Sequence, residues 1–105
     1  MANTFKNKGA AIGTTATTIY TVPAATTTLV HALYASNIHS TNAVTLDITV
    51  DNSAGTFYIV KNLNIPSGTT VILDKPLNLE ATNILKALAS DASSIQIFSS
   101  LLEIT

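Results

Sequence analysis

The chain has 105 residues, 47% of them apolar and only 10% Asp, Glu, Lys or Arg, with a net charge of -1. That length suits one compact domain with a core of its own, and the absence of cysteine removes disulfides and thiolate metal sites. Arginine is absent and the five lysines (Lys6, Lys8, Lys61, Lys75, Lys86) are scattered, so the clustered cations that nucleic-acid phosphates require are missing; no apolar run approaches a membrane span.

The first stretch, residues 1–14, has no apolar period and only Phe5 and Ile12 as large apolar residues. It reads as an extended N-terminal arm that needs a holder, either its own domain or a neighbouring subunit. It also lacks an apolar signal core, so a soluble compartment is expected. From Thr15 onward, β-rich runs alternate with turn signals about every 8 to 12 residues, the rhythm of a sandwich or barrel. The runs are Thr15–Val22, Thr28–Asn37, Val44–Asp51, Thr56–Leu63, Thr69–Leu73, Leu77–Leu79, Ile84–Ala89 and Ser94–Ile104.

In the run "VTLDITVD", Val44, Leu46, Ile48 and Val50 share one face while Thr45, Asp47, Thr49 and Asp51 share the other, which predicts a half-buried strand. "DNSAG" supplies Asp51, Asn52 and Gly55 for a turn, so "TFYIV" is expected to return antiparallel. Pro66 and Gly68 mark a second turn in "IPSGTT". Leu79–Ser90 has some helical spacing, but Thr82 and Asn83 are poor helix residues, so it reads as a turn followed by a strand. Without crossover helices the strands should be antiparallel. The expected fold is all-β: an antiparallel, jelly-roll-like sandwich of about eight strands over residues 15–105, preceded by the arm.

Catalytic and ligand chemistry finds little support. His31 and His39 have no third ligand at metal spacing, and His31 reads as a strand residue, His39 as a loop residue. Asp51, Asp74 and Asp91 sit beside turn signals, where aspartate commonly bonds local backbone amides. No Gly-x-Ser-x-Gly is present, and Gly9, Gly13, Gly55 and Gly68 form no phosphate-cradling cluster. No catalytic residue, metal ligand or cofactor is expected. Phe57, Phe98 and some of the tyrosines are expected to fill the core. Phe5, in a polar arm, is the exception, and suits an anchor on an adjacent subunit.

The order "TTIYTVPAATTTLVHALYASN", "NIPSGTT", "LNLEATNIL" and the closing "LLEIT" resembles a family of small β-sandwich structural proteins encoded by tailed bacteriophages. The matching residues are Ile19–Pro23, Asn37, Ile65–Thr70, Leu77–Glu80 with Asn83 and Leu85, and Glu103–Thr105. The resemblance implies a capsid decoration or cement protein, or else a neck, tail or fibre module. The implied partner is the major capsid protein or another virion protein, and the implied state a homo-oligomer, with a trimer favoured, on the outer capsid. Neither nucleic acid nor membrane is expected as a partner. Phe5, Lys6, Lys8 and Ile12 of the arm are the expected interaction residues. A carbohydrate-binding sandwich using Tyr20, Tyr34 or Tyr58 is the alternative of a different class. The low charge fits a surface covered by partners.

Overall fold

The computed structural model describes Ala2–Thr105. Nine strands follow one another: β1 (Asn3–Ile12), β2 (Thr17–Thr21), β3 (Thr27–Asn37), β4 (Val44–Asn52), β5 (Gly55–Ile65), β6 (Thr70–Leu73), β7 (Leu77–Leu79), β8 (Ile84–Ala89) and β9 (Ile95–Ile104). Among the described residues there is no helix. One sheet has the order β1-β9-β3-β6, with β7 also pairing β3; the other has the order β2-β8-β4-β5. All pairings are antiparallel.

β6 and β7 lie end to end along β3, opposite Leu33–Ser36 and Thr28–Val30 respectively, so the nine segments fill eight lanes. With those two taken as one lane, the chain passes between the sheets at every connection except β4–β5, which is a hairpin. This is the jelly-roll arrangement of two four-lane sheets.

The core fills from both inner faces. In β4 the alternation holds as read, with Val44, Leu46, Ile48 and Val50 all buried. In β9 the inward set is Ile95, Ile97, Ser99, Leu101 and Glu103. Leu33, Ile65 and Leu85 complete the centre, and each such side chain contributes about 1.5–3 kcal/mol on leaving water. Turn chemistry also follows the sequence: Gly55 (φ 142°) closes the β4–β5 hairpin and Gly68 (φ 72°) the β5–β6 turn.

Two expectations need correcting here. Of the expected arm 1–14, residue 1 lies outside the described residues and the rest is no separate arm: Asn3–Ile12 is an edge strand whose ten residues pair in unbroken register with β9, from Asn3 opposite Ile104 to Ile12 opposite Ile95. The stretch lacks a period because only Ile12, at its end, is buried. The ladder's main-chain bonds hold the rest, and these leave no mark in side-chain hydropathy. Nor do Phe57 and Phe98 fill the core: they are 52% and 48% exposed, and of the tyrosines only Tyr20 is buried.

Candidate interaction face

Strand alternation decides which side chains leave the core. In the five-stranded sheet the outward set of β9 is Gln96, Phe98, Ser100, Leu102 and Ile104. Register then lines up neighbours across the strands: Gly9 of β1 opposite Phe98, Phe98 opposite Tyr34 of β3, and Tyr34 opposite Ile72 of β6. These four positions form one transverse row, with Phe98 48%, Tyr34 38% and Ile72 54% exposed. One row along, Ala11, Gln96, Ser36 and Thr70 are aligned, and the Ser36 and Thr70 hydroxyls bond at 2.8 Å. In the opposite direction Phe5, Leu102 and Leu29 form a third, largely apolar row.

Gly9 sharpens the relief of this face. A Cβ there would meet only Phe98 Cδ1 at 3.7 Å and the Ile97 carbonyl at 3.9 Å, so glycine leaves open space beside the ring. The resulting groove, about 380 Å³, is walled by Tyr34 and Phe98 and bordered by Ser36 and Gln96. At Phe5 the relief is opposite in sense: the ring is 77% exposed and stacks on His31 at 6.1 Å between centroids. A bulge between Val30 and Ala32 carries His31 to this side of β3, and its Nε2 is buried without a hydrogen-bond partner among the described residues.

The charges lie elsewhere. Of the eleven Asp, Glu and Lys residues, none falls at an outward position of the five-stranded sheet. The outer face of the four-stranded sheet holds Asp47 and Asp51 of β4, with Lys86 Nζ 2.7 Å from Asp51 and Lys61 Nζ 3.8 Å from Asp47. The Lys86 ammonium and the Thr56 hydroxyl hold the Asp51 carboxyl below its ordinary range. One outer face is therefore laced with ion pairs, while the other presents aromatics, aliphatics, hydroxyls and amides.

The polar residues quoted from the sequence motifs prove to be internal fittings. The buried Tyr20 hydroxyl donates to Glu103 Oε2 and accepts from the Thr28 hydroxyl at 2.9 Å, while Lys6 Nζ lies 3.1 Å from Glu103 Oε1. One carboxylate thus ties β1, β2, β3 and β9 across both sheets. Burial, and then the bond to Glu103, push the Tyr20 phenol up to about 12. The Tyr20 bond, reinforced by Lys6, holds the Glu103 carboxyl low. Asn37 donates to the Asn42 and Ile65 carbonyls at 2.9 and 2.8 Å and accepts the His39 amide at 2.9 Å, locking two loops together. Val22 and Asn83 close another corner: the Val22 amide donates to the Asn83 carbonyl at 2.9 Å, and the Thr82 amide to the Val22 carbonyl at 3.1 Å.

The expected interaction residues are dispersed by the fold. Ile12 is fully buried in the core and so withdrawn from any partner, and Lys6 is engaged by Glu103. Lys8 is exposed at the seam between β1 and β2, and Phe5 alone of the four stands out on the aromatic face. Reading the sequence missed Phe98, Tyr34 and Ile72 as neighbours. Both alternating sets of β9 are partly apolar, so its outward face has no hydropathy signature, and the row exists only through pairing register. His39 fits the loop reading: its Nδ1 accepts the Thr41 and Asn42 amides at 3.1 and 3.0 Å. No group of three or more His, Cys, Asp or Glu that could hold a metal occurs among the described residues.

No protein-family model matches the chain, and no curated protein matches it in sequence. Among solved structures it is similar to a protein of Bacillus endospore appendages, described as disulfide-linked pili. The TM-score is 0.55 at 13% identity, over 99% of this chain and 87% of that one. Proteins of infectious bursal disease virus also match, with 12% identity and a TM-score of 0.46 for strain Gt, and 10% and 0.47 for strain Gx. The chain spans 31% and 29% of their respective lengths, with 99% and 97% of its own covered. The pilus likeness is one of fold.

Proposed function

We propose that this chain is a structural subunit of a bacteriophage virion, a decoration or cement protein that sits on the outer capsid and bridges neighbouring capsid subunits. The observation that carries the reading is the uncharged, aromatic outer face of the five-stranded sheet. Burying it against a protein partner desolvates no formal charge and places Phe98, Tyr34 and Ile72 where anchor residues concentrate binding energy. The sandwich supplies a rigid block behind that face, and the work is mechanical rather than catalytic. Further support comes from the motif resemblance to phage structural sandwiches and from the sharing of this fold with a protein that assembles into pili. Without cysteine, the residues of this chain offer no disulfide for assembly. Many weak contacts closing at once on a lattice would then raise particle stability.

Binding to purified particles tests the reading. Wild-type protein should saturate repeated outer sites on particles lacking it, and Phe98→Lys should bind at least tenfold more weakly while keeping its circular dichroism and melting temperature. Equal occupancy by the two proteins would overturn it.

One observation favours a second reading, carbohydrate binding on the virion surface. The groove beside Gly9 pairs two ring walls with the Gln96 amide and the Ser36 hydroxyl, a combination suited to a sugar ring's apolar face and its hydroxyls. A glycan array with hits that vanish in Tyr34→Ala would support it, and an array without hits would dispose of it.

A further inference from the structure

Three irregularities fall at one level of the sandwich. In β3 the bulge between Val30 and Ala32 turns both His31 and Ala32 away from the core, so the inward side chain that follows Val30 is Leu33. The neighbouring lane breaks at the same place: Leu77 of β7 pairs with Val30 and Leu73 of β6 pairs with Leu33, while Asp74, Lys75 and Pro76 between them belong to neither strand. In the facing sheet, β5 shifts register against β4 where Ile59 stands between Tyr58, opposite Thr49, and Val60, opposite Ile48. Bulges recur at sheet edges and beside active sites, where they re-aim side chains.

Together they frame a cleft of about 240 Å³ between the two sheets. Val30 and Leu33, both buried, form its floor. Val60 on one side and Leu73 and Leu77 on the other form its walls, half-buried against the core. The exposed Ile59 and Ile72 flank the mouth, and the only polar residues of the lining, Asp74 and Lys75, stand at its rim in the lane break. No floor or wall side chain can hydrogen-bond a water. An apolar cavity of about 150 Å³ stays dry and binds benzene, so a larger one with the same lining has room for a longer hydrocarbon.

We propose that this cleft is a binding site for a single alkyl chain of about eight carbons, held tail inward with its head group left at the rim between Asp74 and Lys75. The volume sets the size of the ligand, and the purely aliphatic floor and walls set its chemistry. The rim carries one charge of each sign, so it selects neither an anionic nor a cationic head by net charge, and the tail carries the recognition. A single leucine offered by a protein partner would leave much of the space empty, which favours a free alkyl ligand over a docked side chain. The site lies between the sheets, apart from the groove beside Gly9, and does not depend on the attachment reading.

Methyl NMR spectroscopy of the full chain during titration with 1-octanol tests the proposal. The methyl signals of Val30, Leu33, Val60, Leu73 and Leu77 should shift and saturate, while those of Ile12 and Ile95, in the core away from the cleft, stay in place. Across the series from 1-butanol to 1-octanol, affinity should tighten about fourfold for each added methylene, as burial of one more such group implies, and level off once the chain outgrows the cleft. Val60→Phe, which fills the space from β5, should weaken 1-octanol binding at least tenfold with an unchanged circular dichroism spectrum; if it does not fold, Leu73→Phe fills the space from the opposite wall. Shifts that never saturate, or that spread equally to Ile12 and Ile95, overturn the proposal, as does a folded filled variant that binds 1-octanol as tightly as the wild type. If neither variant folds, the wild-type series decides: a fourfold gain per methylene with shifts confined to the cleft supports the site, and affinity independent of chain length overturns it.

Discussion

Glu103 shows how much one side chain can fasten. Its oxygens are shared between the Tyr20 hydroxyl and the Lys6 ammonium, so removing either donor leaves a buried carboxylate underpaired. Tyr20→Phe should cost about 1–3 kcal/mol of stability, read from the denaturant midpoint. The pH dependence follows from the direction of each shift. The Glu103 carboxyl titrates lower in the folded state than in the unfolded one, so its stabilisation is present above the ordinary carboxylate range and is lost as pH falls through its depressed folded value. The Tyr20 phenol is raised from 10.0 to about 12, so its contribution is intact below pH 10 and fades as pH rises toward 12. Melting temperatures of wild type and Glu103→Gln should therefore converge in acid, and parallel curves down to the acid transition would refute the assignment. Thr82 is a different case, a β-branched residue held at φ 71°. Thr82→Gly should raise stability by about 1 kcal/mol through relief of that strain, measured by thermal or denaturant unfolding.

Among the strands, β1 separates what side chains hold from what the ladder holds. Deleting residues 1–12 as a detachable arm should leave a folded domain; with β1 as an edge strand the expectation reverses. The deletion strips the β9 edge and removes fully buried Ile12, so the melting temperature should fall sharply. The single changes should split cleanly: Ile12→Ala should cost about 2–5 kcal/mol, whereas Phe5→Ala, at 77% exposure, should stay within about 0.5 kcal/mol. Similar costs for the two would contradict the packing. The lane shared by β6 and β7 carries a related lesson. The eight runs in the sequence correspond to β2 through β9, and eight is also the number of lanes, but the agreement is accidental: the runs do not include β1, and two of them, β6 and β7, share one interrupted lane.

For the whole molecule, the decisive property is the segregation of charge between its two outer faces. The ion pairs of Asp47, Asp51, Lys61 and Lys86 keep one face compatible with solvent, while the opposite face offers a partner aromatics without a desolvation penalty for formal charge. The whole block measures 47 × 26 × 20 Å. The sequence by itself determined the sandwich class, most strand positions and the two glycine turns, because period-two hydropathy and left-handed backbone positions are local properties. It also determined that Tyr20, Asn37, Asn83 and Glu103 belong to the motifs, though not that Tyr20 and Glu103, 83 positions apart, would meet in one buried network. Only the tertiary structure decided the pairing of β1, the exposure of Phe57 and Phe98, and the row from Gly9 to Ile72. The reason is physical: which of two partly apolar strand faces turns inward, and which residues become neighbours across strands, depend on register with distant segments, and register is fixed by the assembled sheets rather than by any one strand's own residues.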